Sequence, residues 1–392
     1  MPCVGSLALS CSLSLSLTCP DREHQRTRKA AGAVGVSLVF SLLAAPLSYS
    51  PASHLMPAVA CSPMPASARE AAEQLLSIEA YEKCLLEPDE PFELRESLPP
   101  RLTEDQRVAI DALRELLDKE IHSWSEAVQR EAKGHLDCFT LLRFIEARPA
   151  GISAALAMLR DTMKWRASDN RAVNRVFVKH HVQAQSDPFV DAARRHFYAG
   201  FIGFDKNNEP IFGERLGKVD LPGLAREGEP LLQCLLDAYV ANTEAAFRMV
   251  RAASCASGQY VKATFVVDAS GFNMSLLRHV SLIKMFAGIG PPYYPEVTRR
   301  VLIVNAPRFA SAAWAIISPM LPKATREKVS VHSSATTPPV LSERFEASEL
   351  PEYLGGTKPH GDCHVSQAEK IPVSLSEVLK KSLPQVLPES HR

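Results

Sequence analysis

The stretch that decides the fold runs from KATFVVD at residues 262–268 to RVLIVN at residues 300–305. Both are short apolar runs rich in β-branched residues, the composition of a strand covered on both faces. Between them, residues 275–288 carry apolar groups at helical spacing. Strand, helix and strand in that order predict a βαβ unit and a largely parallel sheet. Working outward toward the C-terminus, the pattern predicts a helix over 308–318 and a strand near KVSVH at 328–332. Toward the N-terminus, FYAGFIGF (197–204) and EPIFGERL (209–216) flank DKNN, a turn composition, and together predict a hairpin. A long helix is expected from Pro230, a favoured first-turn residue, to about Arg251. Leu232, Leu235, Leu236, Tyr239, Phe247 and Val250 supply its apolar face.

The chain ahead of this region reads as helical. Thr103 followed by Gln106 is a capping-box signature, and Val108, Leu113, Leu116 and Leu117 line one face of the helix that it starts. Asp137 precedes CFTLLRFIEAR, a short helix ending before Pro149, and a third helix is expected from about Ser153 to Arg166, with Leu156, Leu159 and Met163 on one stripe. The chain therefore divides into a leader (1–69), a helix and proline-rich acidic linker (70–100), a helical subdomain (101–175), an α/β domain (176–357) and a polar tail (358–392) with a short helix near Ser374 to Lys381.

The leader differs from the rest. No Asp, Glu, Lys or Arg occurs from Ala30 to Ala68, and Arg22, Arg26, Arg28 and Lys29 stand just before that run. A basic flank followed by an apolar stretch suits a signal, an anchor or a transit segment. Against this, the stretch sits far from the N-terminus for a secretory signal and is marginal for a span of about 20 residues. An unstructured leader, with downstream starts at Met56 or Met64, is the other reading.

Lys plus Arg number 44 and Asp plus Glu number 44, so the chain lacks the basic excess of a nucleic-acid binder. The nine cysteines form no CxxC pair, which leaves zinc ribbons and thioredoxin-type redox motifs unsupported and favours reduced thiols. Nucleophile elbow and Walker A loop are both absent. GIGPPY (288–293) begins like a dinucleotide fingerprint, but Tyr293 replaces the third glycine and two prolines remove phosphate-facing N–H donors. His180 and His181 read as a solvated helix end, and His360, Cys363 and His364 lack a fourth metal ligand. No catalytic constellation, metal site or cofactor is expected.

Five runs, in order, resemble the CRAL-TRIO lipid-binding family in its phosphatidylinositol-transfer branch. They are LLRFIEAR (141–148) with MLRDTMKWR (158–166), GFDKNNEPIFGERLGKVDLPGL (203–224), VVDASGF (266–272), YYPEVTRRVLIVNAPRFASAAWAIISPML (293–321) and ELPEYLGGT (349–357). The resemblance spans about Leu102 to Thr357 and implies an α/β fold: a helical subdomain, then a mostly parallel sheet whose helices enclose a lipid pocket closed by a mobile gate helix. The gate falls on residues 275–289, where Leu276, Val280, Ile283 and Phe286 are apolar and Gly288 and Gly290 are available as hinges; ordinary core is the alternative for such a helix. The resemblance also implies a headgroup site at Glu296 and Lys328, with Arg148 nearby, in which cations neutralise a phosphate and the carboxylate accepts inositol hydroxyls. A surface ion pair is the alternative there.

The chain departs from the family pattern in instructive places. Val297 and Pro149 stand where basic residues are usual, and Phe201, Phe212, Ala263 and Phe265 stand where hydroxyl side chains would hold a choline headgroup. Those four suit a lipid-tail pocket and cannot donate a hydrogen bond. The implied function is non-enzymatic binding of a phospholipid, phosphatidylinositol first, and its transfer or presentation between membranes. A sterol, tocopherol or isoprenoid carrier is the alternative. The expected setting is a cytoplasmic monomer that meets membrane surfaces transiently, without nucleic acid.

Overall fold

The computed structural model describes residues 65–74, 94, 98–168, 176, 199–218, 229–272, 289–310, 314–315, 318 and 326–359. The expected gate residues Leu276, Val280, Ile283 and Phe286, the hinge Gly288, the histidine pair at 180–181 and the His/Cys group of the tail lie outside the described residues.

Among the described residues, five α-helices precede the first strand. They are α1 (Ala66–Gln74), α2 (Glu104–Glu120), α3 (Glu126–Lys133), α4 (Cys138–Glu146) and α5 (Ile152–Arg166). The capping box at the start of α2 forms as the sequence implies: Gln106 N donates to Thr103 Oγ1 at 3.2 Å, and Thr103 N donates to Gln106 Oε1 at 3.0 Å. One member of the expected apolar face is reassigned. Val108 is 60% exposed, and Ile110 joins Leu113 and Leu117 in the core. The period explains this, because positions 110, 113 and 117 share a face whereas 108 sits about 200° away from 110. Asp137 caps α4 by accepting from Thr140 N at 2.8 Å. Leu156, Leu159 and Met163 of α5 are buried together, as the stripe predicted.

The sheet has five strands: β1 (Ala199–Phe204), β2 (Pro210–Arg215), β3 (Ala263–Asp268), β4 (Thr298–Ala306) and β5 (Val329–Ser333). Their spatial order is β1-β2-β3-β4-β5; β1 and β2 pair antiparallel and the other neighbours pair parallel. Each strand falls on an expected run. The long helix α6 (Glu229–Ser257) connects β2 to β3, and α7 (Gly290–Tyr293) and α8 (Thr337–Arg344) follow.

The two faces of the sheet differ. Ile202, Ile211, Val266, Leu302 and Val304 pack under Leu341 and Phe345, and under Leu350 and Leu354 of the following segment. The opposite face carries a row in register, Phe201 beside Phe212, Phe212 beside Phe265 and Phe265 beside Val301. Edge strand β1 is covered by side chains: Lys358 Nζ donates to Ile202 O at 2.7 Å, and Phe204 N donates to Glu349 Oε2 at 3.2 Å. Arg69 of α1 pairs with Glu349 at 2.7 Å and lies over the Phe204 ring.

The helical subdomain is tied to α6 by buried charge. Arg166 donates to both carboxylate oxygens of Glu244, at 2.8 and 2.9 Å, and to Glu131 at 2.5 Å; Arg248 reaches Glu244 at 2.6 Å. Arg251 donates to Asp137, Thr140 and the carbonyl of Gly134. Burial alone would raise the Glu244 carboxyl, but Arg166 and Arg248 outweigh it and hold it well below the carboxylate range.

Candidate functional site

The parallel register places the residues that lead into β3, β4 and β5 along one edge of the sheet. Lys262, Glu296 and Lys328 are those residues, and they converge. Lys328 Nζ lies 3.0 Å from Glu296 Oε2 and 3.3 Å from Oε1. Lys262 Nζ lies 2.6 Å from the same Oε2 and 3.2 Å from Oε2 of Glu146 at the end of α4.

The backbone is shaped for this meeting. Glu296 has φ +50°, unusual for a residue with a Cβ. Its carbonyl accepts from Arg143 Nη1 at 2.6 Å, and the next carbonyl, of Val297, accepts from Ala263 N at 2.8 Å. Arg143 is fully buried, gives its other terminal nitrogen to Val261 O at 2.5 Å and stacks on Tyr260. Lys262 Nζ lies over the same ring, 4.9 Å from its centroid. Two consecutive main-chain anchors thus turn the Glu296 side chain toward the lysines.

Burial within the cluster is graded. The Glu296 side chain is 8% exposed, Lys262 16%, Lys328 18% and Glu146 24%. Burial alone would raise the Glu296 carboxyl, but Lys262 and Lys328 overcome it and hold it at about 2. Burial also lowers the Lys328 ammonium despite the attraction of Glu296. The arrangement can present two ammonium groups to an anion while keeping the carboxylate ionised and fixed.

The structure brings Glu296 and Lys328 together. Arg148 Nη1 donates to the carbonyl of Ala147 at 3.0 Å, and Arg148 makes no ion pair among the described residues. The arginine that reaches Glu296 is Arg143, one and a half turns earlier in α4. Lys262, Glu146 and Arg143 were not singled out from sequence. The signal that could have found Lys262 is its position as the first, charged residue of the apolar run predicted to be a parallel strand.

Phe201, Phe212 and Phe265 form a ladder, with ring centroids 5.8 Å apart for the first pair and 5.7 Å for the second. Phe212 and Ala263 are buried, whereas Phe201 and Phe265 are half-buried. Ala263 shares this face of β3 with Phe265. Gly290 opens α7, and its carbonyl accepts from Tyr294 N at 2.9 Å. Among the described residues no helix is long and apolar enough to cross a membrane, and no group of three or more His, Cys, Asp and Glu is placed to hold a metal ion.

Residues 194–356 match the CRAL/TRIO domain family. This chain carries a CRAL/TRIO domain. The domain supplies all five strands, Lys262, Glu296 and Lys328, whereas Arg143 and Glu146 come from the helices ahead of the matched residues. SEC14 cytosolic factor of Eremothecium gossypii is 28% identical over 274 residues, 69% of this chain and 81% of its own length. Sec14 cytosolic factor of Schizosaccharomyces pombe is 27% identical over 274 residues, 69% of this chain and 89% of its own. Phosphatidylinositol/phosphatidylcholine transfer protein SFH4 of Arabidopsis thaliana is 28% identical over 254 residues, 62% of this chain but 39% of its own, so the match spans under half of that relative. The crystal structure of Sfh5 aligns with 72% of this chain and 98% of its own, at 17% identity and a TM-score of 0.47. The CRAL/TRIO domain and the helices before it form the α/β architecture that the sequence led us to expect.

Proposed function

We propose that this chain is a lipid-binding and lipid-transfer protein of the Sec14 type that takes up a phospholipid, phosphatidylinositol first, and transfers or presents it between membranes. The observation that carries this reading is the Glu296–Lys328 pair, held on a fixed backbone with the lysine the more exposed of the two partners. The names of the relatives support it, one being a phosphatidylinositol/phosphatidylcholine transfer protein and two being cytosolic factors. In this reading the phosphate meets Lys328 and the inositol hydroxyls donate to Glu296, while the acyl chains lie against Phe201, Phe212, Ala263 and Phe265.

The energetics fit a carrier. Each methylene kept from water is worth about 0.8 kcal/mol, whether a bilayer or a dry protein face covers it. Moving a chain between the two is therefore close to balanced, and the barrier is the aqueous passage. A segment that opens at a membrane surface lowers that barrier, and we assign this role to the stretch bearing Leu276, Val280, Ile283 and Phe286, hinged at Gly288 and Gly290. The protein so described works as a peripheral cytoplasmic monomer without covalent chemistry.

A second reading, a carrier for a sterol, tocopherol or isoprenoid, is favoured by the phenylalanine ladder, which offers no hydroxyl to a polar headgroup. Native purification followed by lipid mass spectrometry tests the two. Near-stoichiometric phosphatidylinositol is the expected result, a co-purifying sterol or isoprenoid moves the function to the second reading, and a protein that accepts no lipid from vesicles overturns both.

A further inference from the structure

Lys262 stands directly ahead of β3, and its ammonium is fixed by three groups. These are Glu296 at 2.6 Å, Glu146 at 3.2 Å and the Tyr260 ring. Lys262 and Lys328 share one oxygen, Oε2 of Glu296, so their nitrogens are no farther apart than the sum of two hydrogen bonds. One phosphate group can span two ammonium groups at that separation, with a different oxygen accepting from each.

Charge and burial say which contact gives way. Glu296 is sealed, and a single carboxylate balances only one of the two lysines. The second is balanced by Glu146, through the longer contact and with the most exposed side chain of the four. An anion arriving from solvent therefore exchanges with Glu146 more readily than with Glu296.

We infer that Lys262 is a second phosphate-binding cation and the residue that makes this site prefer an anionic over a zwitterionic headgroup. The inference rests on the phosphatidylinositol reading above. With Lys328 it cradles the lipid phosphate. An inositol ring beyond that phosphate meets no like charge, whereas the trimethylammonium of a choline headgroup is brought close to two ammonium groups.

Purified full-length protein incubated with vesicles of equal phosphatidylinositol and phosphatidylcholine, re-isolated and analysed for bound lipid, tests this. In Lys262→Met the ratio of inositol to choline lipid is expected to fall about tenfold, the scale of one charge-assisted contact, and Lys262→Arg is expected to keep the wild-type ratio. An unchanged ratio in a Lys262→Met protein with wild-type circular dichroism overturns the inference. Lys328→Ala separates the two claims. Loss of inositol-lipid uptake there with no effect of Lys262→Met leaves the function standing and removes Lys262, whereas wild-type protein that takes up no inositol lipid removes the function itself. Repeating the wild-type assay in excess inorganic phosphate distinguishes the source of the phosphate. A preserved preference supports a lipid headgroup, and a preference abolished by free phosphate overturns the headgroup assignment of Lys262.

Discussion

Two clusters of the same chemistry tie the helical subdomain to the rest of the molecule, and they differ in how far they are sealed. Arg166, Glu244, Arg248 and Glu131 form one, and every charged group in it is nearly or wholly sealed. Lys262, Glu296, Lys328 and Glu146 form the other, in which the Glu296 side chain is sealed but Lys262, Lys328 and Glu146 each keep part of their side chain exposed. The first has no side open to a ligand, and it fixes how α5 docks on α6. The second can exchange a partner without unfolding anything. Ion pairs by themselves therefore say little about function, and the side from which they are open says much more.

That contrast can be broken in four places. The largest effect is expected from Arg166→Met. It strips Glu131 of its arginine and leaves Glu244 with one arginine where two held it, and breaking a buried pair in this way costs about 3–5 kcal/mol. Urea denaturation should show a lower midpoint at an unchanged slope, and a midpoint within experimental error of wild type would deny the staple.

Acid comes next. The Glu296 carboxyl, held at about 2 against an ordinary value of 4.5, contributes on the order of 3 kcal/mol to stability at neutral pH. Because its folded value is depressed, that contribution is complete above the ordinary value and is lost as pH falls from about 5 toward 2. Glu296→Gln should remove this part of the acid sensitivity, so the stability gap between the two proteins should narrow from neutral pH to pH 3 or so. Parallel curves for the two proteins would contradict the buried, lysine-held carboxylate.

Lys328→Met should differ in kind from Arg166→Met. It leaves the sealed Glu296 carboxylate with one lysine where two held it, so a stability loss of about 1–3 kcal/mol is expected, smaller than at Arg166, while inositol-lipid uptake from vesicles should be lost, an effect that Arg166→Met does not predict. A large stability loss with uptake intact would make it a second staple. The smallest effect is expected at a pair open on all sides: Lys119→Ala, which removes the surface contact to Glu115 at 2.6 Å, should leave the urea midpoint unmoved.

Much of this architecture is legible in the residues because local chemistry dictates it. Thr103 and Gln106 announce the start of α2, and the β-branched runs at 262–268 and 300–305 place the two central strands. Val108 misled because an apolar residue two positions from Ile110 counts equally in a list and points the other way on a helix. The buried charges of α6 are invisible for a related reason: the spacing of Glu244 and Arg251 does not show that Arg166 and Asp137, in or beside other helices, are their partners. In the candidate site, Glu296 and Lys328 emerged from motif resemblance. Lys262 and Glu146 did not, because the closeness of Lys262 to Glu296 is a property of parallel register and not of spacing along the chain. Arg143 and Arg148 flank the same short helix end. Only the three-dimensional path of the Glu296 loop distinguishes the one that anchors it.

The covering of β1 by Glu349, Lys358 and Arg69 has a consequence for how copies of this chain treat one another. A bare outer strand is an invitation for a second molecule to add its own strand, and that route leads to fibres and precipitates. Here the carbonyl of Ile202 and the amide of Phe204 are already occupied by charged side chains, which a newcomer would have to dislodge. Removing Lys358 would test colloidal behaviour before it tested anything about lipids.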